Sequence, residues 1–297
     1  MELQKLKDLA RETGFDAAGV APVALLSGEV ARLRRWIEAG KNAGMEYMAR
    51  NLDKRENPAL LVEGAKSVIV TLTNYYTVRK QVAGIPRIAK YAWGRDYHSV
   101  LKERLWHLLG ELQKTEDVTG RCFVDSAPVL EHEWARRAGL GWQGKNTLLL
   151  SREFGSFCFI GVIVTTAVFD EYDEPFTESY CGRCNRCVEA CPTGALIPYE
   201  VDARKCISYQ TIENKGEYPE TLKHLAGGRI FGCDVCQEVC PWNGKAKEHH
   251  VPEFLPKPEV IGLTEQDWRE MDEAYFKELF KDMPQKRTGL EKIIRNL

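Results

Sequence analysis

Apolar positions over the first 170 residues switch between a helical and a strand period. Leu3, Leu6, Leu9 and Ala10 share one face of a helix over 2–13, and Gly14 follows as its stop signal. "FDAAGVAPV" (15–23) predicts a short strand, and Val30, Leu33, Trp36 and Ile37 predict a second helix. "SVIVTLTNYY" (67–76) is a strong strand. Val100, Leu101, Leu105, Leu108, Leu109 and Leu112 set a long helix over 97–114. "RCFVD" (121–125) predicts a strand running into a helix over "APVLEHEWARRAG", which closes at Gly139. A glycine-rich turn in "GLGWQGKNTLLL" (139–150) leads into a further strand, and "FCFIGVIVTTAVF" (157–169) predicts a buried one. Alternating strands and helices predict an α/β or α+β domain over 1–170.

The pattern then changes. "DEYDEPFTESY" (170–180) holds five acids and no base and reads as a solvated connector. A cysteine-rich module occupies 171–255, with "VPEFLPKPEV" (251–260) as a proline-rich linker. Two short helices, around 264–281 and 287–297, fill a third region, 256–297.

Composition narrows the function classes. The 297 residues are 44% hydrophobic and 28% charged, enough for ordinary cores. A net charge of −2 gives no global attraction to nucleic acid or anionic membrane, so any such partner must meet a local basic patch. "MELQKLKDLARETG" has no apolar signal region, and 157–169 is too short to span a bilayer. The expectation is a cytoplasmic monomer with no membrane partner.

Ten cysteines in a reducing compartment do not predict a disulfide framework, and eight of them fall between 181 and 240. "CGRCNRCVEACP" is C-x2-C-x2-C-x3-C-P, the spacing that bacterial ferredoxins use for [4Fe–4S] clusters. "CDVCQEVCP" supplies Cys233, Cys236 and Cys240, but Ile230 stands where a complete repeat needs a cysteine. Cys206 fills the gap. In two-cluster ferredoxins the fourth cysteine of a run serves the other cluster. Cys181, Cys184, Cys187 and Cys240 therefore hold one cluster, and Cys191, Cys206, Cys233 and Cys236 the other. Structural zinc is the competing reading of C-x2-C pairs, but zinc does not call for this longer spacing. Cys122 and Cys158 lie in apolar strand contexts and read as core.

A two-cluster module needs no 170-residue domain in front of it, so the front domain should bind what is reduced. No G-x-G-x-x-G follows a strand, and there is no Walker A motif and no D-x-H-x-x-G corrinoid pattern. Asp125, in "FVDSAP", sits where strand meets helix. It is either a ligand-facing acid or a helix cap, and Ser126 could do the capping instead. "GWQGKN" (141–146) offers backbone amides and Lys145 to an anionic or amide-rich ligand, or is a plain turn. "RIAKYAWGRDYHSVLKER" (87–104) interleaves bases with aromatics, which suits phosphate and ring contacts but equally a solvated helix face. His98 on its own is more often neither ligand nor base.

Together these strings resemble the epoxyqueuosine reductase family. They are "YMAR" (47–50), "YAWGRDYH" (91–98), "FVDSAPVLE" (123–131), "AGLGWQGKNTLLL" (138–150), "GSFCFIG" (155–161), the 181–196 cysteine run, "DARKCISYQTIE" (202–213) and "GCDVCQEVCPWN" (232–243). The resemblance implies a cobalamin-binding front domain of reductive-dehalogenase-like fold, then a ferredoxin-like module with two [4Fe–4S] clusters and a short helical C-terminus. It implies reduction of epoxyqueuosine to queuosine in tRNA, the last step of queuosine synthesis, with an external electron donor. Asp125 matches the family's proton donor, and burial beside corrin is expected to raise its pKa. Arg50, Asp96, Asp125, Lys145 and Asn146 are the implied cobalamin contacts, and Arg95, Ser208, Lys286 and Arg287 the implied tRNA contacts. Two departures stand out. Many relatives continue into a helical-repeat domain where this sequence ends in "RTGLEKIIRNL", leaving the tRNA grip to local bases including Lys292 and Arg295. "LEHEW" carries His132 where arginine is expected, and His132 is given no role. The competing functions are a corrinoid reductase of a small molecule and an electron-transfer subunit without an active site. Cobalamin retention excludes the second, and tRNA binding excludes the first.

Overall fold

The computed structural model describes residues 1–297. Four strands form the front sheet in the order Ala17–Pro22, Ser67–Asn74, Cys158–Thr165, Gly120–Phe123, and every neighbouring pair is antiparallel. Of the two fold classes the sequence allowed, this is α+β.

Every residue of Ser67–Asn74 is buried, because both faces of the sheet are covered. Val68, Val70 and Leu72 face a core with Trp134 and Ala135 of the helix Glu131–Arg137. Ile69 faces the opposite core, with Leu6 of the helix Leu3–Glu12 and Leu101, Leu105 and Leu108 of the helix Tyr97–Thr115. A sheet with two dry faces has no need of strict apolar–polar alternation, which lets Val68, Ile69 and Val70 follow one another and buries even Thr71 and Thr73. The five buried leucines of the Tyr97–Thr115 helix each contribute about 1.5–3 kcal/mol by leaving water.

The predicted helices and strands of the front domain are present, with one difference that matters. The strand 121–125 stops at Phe123 and the following helix begins only at Glu131. Residues 124–130 are a loop instead of a direct strand-to-helix turn.

The C-terminal third departs further from expectation. The helix over 264–281 is two helices, Glu265–Glu270 and Glu273–Leu279, because Asp272 caps the second by accepting from the Tyr275 N–H at 2.8 Å. The 256–297 segment is not a separate unit. Trp268, Phe276 and Phe280 share a core with Ile88 and Trp93 of the front domain and Ile230 and Phe231 of the cysteine module. The proline-rich stretch is no free linker either: Phe254 is buried, its ring 4.9 Å from that of Phe159. The module is also locked to the front domain at Gly155, whose φ is +64°. A Cβ there would lie 2.0 Å from Asn243 Oδ1, the oxygen that accepts from the Ser156 N–H at 2.7 Å.

Candidate active site and cluster module

Asp125 stands on the 124–130 loop with φ +54°, a left-handed conformation that aspartate tolerates better than most residues. It caps nothing. The next helix has Leu130 at its N-cap and no side-chain cap, and the Ser126 hydroxyl turns back to Val124 O at 3.2 Å. Both capping roles open in the sequence are therefore unused. The Asp125 side chain, 60% exposed, faces a cavity instead.

Two groups converge on this carboxylate and a third holds its backbone N–H. Tyr97 donates its hydroxyl to Asp125 Oδ2 at 2.5 Å, its ring held flat on Phe159 with centroids 4.3 Å apart. His98 Nε2 lies 3.5 Å from the same oxygen. Glu131 Oε1 accepts from the Asp125 N–H at 2.6 Å. Asp96 orients the imidazole: its Oδ1 is 2.7 Å from His98 Nδ1 and also accepts from the His98 N–H, which caps the long helix. With Nδ1–H given to Asp96, Nε2 is free to accept from Arg287 Nη1 at 3.1 Å or, once protonated, to donate to Asp125.

The charges follow from these contacts. Burial pushes the Asp125 carboxyl up, but the hydrogen bonds from His98 and Tyr97 outweigh it and leave the pKa below its usual range. The expected rise is thus absent from the open site. Burial pulls His98 down, and the hydrogen bonds to Asp125 and Asp96 overcome that and leave it raised. Glu131 is pushed up to about 8, first by burial and then by the charge of Asp125.

The cavity has two lobes, of about 810 and 670 Å³, which share His98, Asp125, Glu131, His132, Glu213 and Arg287. The larger takes in Arg50, Tyr47 and Arg55; the smaller is mostly apolar and aromatic, with Tyr75, Tyr97, Phe159 and Phe231 in its wall. Arg55 is buried, yet its Nε has no partner. A π-helical turn over Tyr209–Glu213, just after Cys206, brings Tyr209, Ile212 and Glu213 into the smaller lobe, where Ser208 also lies.

Of the residues implied as cobalamin contacts, Arg50 and Asp125 line the cavity. Asp96 sits behind His98 and acts through it. Lys145 and Asn146 lie elsewhere, on a separate cavity of about 290 Å³ beside Cys181, Cys184, Cys187 and Cys240. There Lys145 Nζ donates to Gly182 O and Asn185 Oδ1, both at 2.9 Å, and the buried Asn146 Nδ2 has no partner. Of the implied tRNA contacts, Ser208 and Arg287 line the cavity, Lys286 is exposed beside Arg287, and Arg95 is outside it, 3.4 Å from Glu103. Lys292 Nζ donates to Ile212 O, and the Arg295 guanidinium is held by the carbonyls of Gln210, Asn214 and Gly216. From the sequence, Glu131 has no role, Tyr97 stands only among the aromatics of 87–104, and His98 is set aside as a lone histidine. The one local signal was Asp96 two residues before His98 at a helix start, where a cap can also hold an imidazole.

None of the ten cysteines is in a disulfide. Cys187 feels the charges of Cys240 and Cys181, and Cys240 those of Cys181 and Cys184. Cys206 feels Cys191, Cys233 feels Cys206, and Cys236 feels both Cys233 and Cys206. Cys181, Cys184, Cys187 and Cys240 line one cavity together, and Cys206 interacts instead with Cys191, Cys233 and Cys236. Cys187 also acts on Cys236, so the groups are neighbours. Cys206 lines the Asp125 cavity, whereas the first group borders only its own. Burial raises the remaining thiols, Cys122 to about 12 and Cys158 higher still, as befits unreactive cysteines.

Residues 180–243 match the family model for a 4Fe-4S double cluster binding domain, and residues 55–126 the model for epoxyqueuosine reductase QueG. Over 99% of its length the chain is 45% identical to an epoxyqueuosine reductase of Leadbetterella byssophila, covering 96% of that protein. The chain belongs to the epoxyqueuosine reductase family. It is also 42% identical to the Pseudomonas aeruginosa epoxyqueuosine reductase, of which it covers 83%. A crystal structure of epoxyqueuosine reductase with a tRNA-Tyr epoxyqueuosine-modified stem loop superposes with a TM-score of 0.91 at 31% identity, over 99% of this chain and 79% of that one. The Bacillus subtilis epoxyqueuosine reductase, solved with its catalytic aspartate loop swung out of the active site, matches equally well. The module therefore holds two [4Fe–4S] clusters. No helix is long and apolar enough to cross a membrane.

Proposed function

We propose that this chain reduces epoxyqueuosine to queuosine at the wobble position of tRNA, taking electrons from an external donor through its two [4Fe–4S] clusters to cobalamin. It works as a cytoplasmic monomer. One observation carries the reading: the Asp125 carboxylate opens into a cavity whose lining includes Cys206, the residue we assign as a ligand of the second cluster. Acid and electron source thus face the same space.

The residues present fit cobalamin. The aromatic wall of Tyr75, Tyr97, Phe159 and Phe231 suits the flat face of a corrin, and Arg50 and the unpartnered Arg55 Nε suit its polar periphery. Bound there, it supplies a cobalt that accepts single electrons and passes them to the substrate. The remaining work falls to the chain. Removing an epoxide oxygen as water takes two electrons and two protons. Asp125 is the group placed to give a proton to that oxygen. It is ionised in the open site, so it must take up a proton first. His98 can supply it when its imidazole carries the second proton, a form its raised pKa favours, because Nε2 is 3.5 Å from Asp125 Oδ2. Closing substrate over the loop removes water from the carboxyl and raises its pKa, so the proton moves to Asp125 when it is needed.

For tRNA, Arg287 and Ser208 lie inside the cavity, and Lys54, Lys102 and Arg121 line a hollow next to the Asp125 loop. These bases suit the phosphates flanking a nucleotide inserted toward Asp125. The test is mass spectrometry of nucleosides from epoxyqueuosine-containing tRNA after incubation with reconstituted protein, cobalamin and a chemical reductant. Appearance of queuosine supports the reading; unchanged epoxyqueuosine with both cofactors bound overturns it.

A further inference from the structure

The segments that carry the first cluster's ligands differ in charge from the one that carries Cys233 and Cys236. The segments that carry the first cluster's ligands, "CGRCNRC" (181–187) and "CPWNGKAK" (240–247), hold Arg183, Arg186, Lys245 and Lys247 and no acid. The segment that carries two ligands of the second, "CDVCQEV" (233–239), holds Asp234 and Glu238 and no base. Exposure divides them in the same way. Cys184 is the one exposed thiol of the ten, while Cys206 is turned to the inner cavity.

Three of the four cations are uncommitted. Lys247 pairs with Glu153 at 3.1 Å. Arg183, Arg186 and Lys245 are exposed and make no ion pair, and Arg186 and Lys245 stand on the rim of the cavity lined by the first cluster's four thiols. Lys145 is spent on bracing the Gly182–Asn185 loop from beneath. Cations kept free beside an exposed redox centre have no folding role. They do attract and orient an oppositely charged partner, raising the rate at which it docks.

We propose that Arg183, Arg186 and Lys245 form the docking surface for the electron donor, a small acidic protein that carries one electron at a time. Docking brings the carrier's reduced centre to the exposed Cys184 edge. Each encounter oxidises the carrier by one electron and reduces the first cluster by one. In a two-cluster module of ferredoxin spacing each cysteine run serves both clusters, so the electron passes on to the second cluster, whose Cys206 lines the cavity. A tRNA footprint is the other use for such a patch. It is disfavoured because the patch shares no lining residue with the Asp125 cavity into which the nucleotide must go.

The proposal rests on the reading of the chain as a two-cluster reductase fed from outside, and its test is separable from that reading. The probe is an acidic flavodoxin-type protein, reduced by one electron, mixed with holoprotein carrying Arg183→Glu, Arg186→Glu and Lys245→Glu. Three readouts are taken: its affinity for the oxidised protein by fluorescence anisotropy, the rate of cluster bleaching on rapid mixing, and the affinity for an epoxyqueuosine stem loop. Unaltered protein should bind the probe with an affinity that falls as salt rises. The triple variant should bind it and be reduced by it at least about tenfold less well at low salt. Reduced methyl viologen, a cation, should reduce both proteins equally or the variant faster. Equal probe binding by both proteins overturns the proposal, as does equal slowing with viologen, which would mean the residues act on the cluster itself. Loss of stem-loop affinity with probe binding intact would assign the patch to RNA. Turnover with a chemical reductant tests the reductase reading alone and should be unchanged in the variant.

Discussion

The cysteine module and the Asp125 cavity encode chemistry in different ways. In the module, seven of the eight proposed cluster ligands lie in two short runs, 181–191 and 233–240, and only Cys206 stands apart. In the cavity, no two of Arg50, His98, Asp125, Ser208 and Arg287 are closer than 27 residues in sequence. A cluster needs four thiolates at fixed reach from one centre, and a short loop can supply three of them by spacing alone. A proton-delivery site needs groups whose pKa values are set by one another, and that requires side chains from separate elements. The first kind of site can be read from the chain; the second becomes visible only when the chain is folded.

The largest effect expected on either side of this comparison is at Cys206, the ligand that breaks the local pattern. Cys206→Ala should reduce iron content toward one cluster per chain and stop electron delivery to the cavity, while Cys122→Ala leaves iron unchanged. Full iron in the Cys206 variant would remove the assignment. Next is Asp125→Asn. It keeps shape and hydrogen bonds but cannot deliver the proton, so turnover should fall at least about a hundredfold with both clusters and cobalamin retained. Because Asp125 caps no helix, the melting temperature should hold. An unfolded or cofactor-free variant would return the residue to a structural role.

A smaller effect is expected for substrate grip. Phosphate contacts release counterions, so tRNA affinity should drop steeply with salt. Arg287→Glu, inside the cavity, should weaken binding more than Arg95→Glu, whose guanidinium faces Glu103 outside it. The reverse order would place the RNA on the other side of the long helix. The smallest effect concerns Glu131. Its raised carboxyl binds more protons folded than unfolded, so its support for the fold is complete below 4.5 and lost as pH climbs through about 8. Glu131→Gln is spared that loss. Its melting temperature relative to the unaltered protein should therefore rise across that window, by about 2–4 °C for each kcal/mol involved. A difference that ignores pH would mean that Glu131 titrates normally.

Sequence and structure can now be separated residue by residue. The apolar periods alone specified the four front strands and the helices Leu3–Glu12 and Tyr97–Thr115, because burial on one face leaves a mark at every third or fourth position. Thiol spacing specified both clusters. The family strings singled out Asp125. What they could not give was its setting. A two-residue difference in where a strand stops put Asp125 on a loop instead of a helix cap. Lys145 and Asn146 matched a family string yet belong to the first cluster's wall, because a turn's sequence does not say which way its side chains point. His98 reads in the sequence as a lone histidine, and only the fold shows it held beside Asp96, Asp125 and Arg287. The 256–297 segment looked separable because its proline-rich lead-in mimics a linker, yet its aromatics close a core begun by residues 88–93 and 230–231. Local order is written in nearest-neighbour periodicity and ligand spacing. Charge coupling and shared cores depend on contacts between positions tens to hundreds of residues apart, and those exist only once the chain has folded.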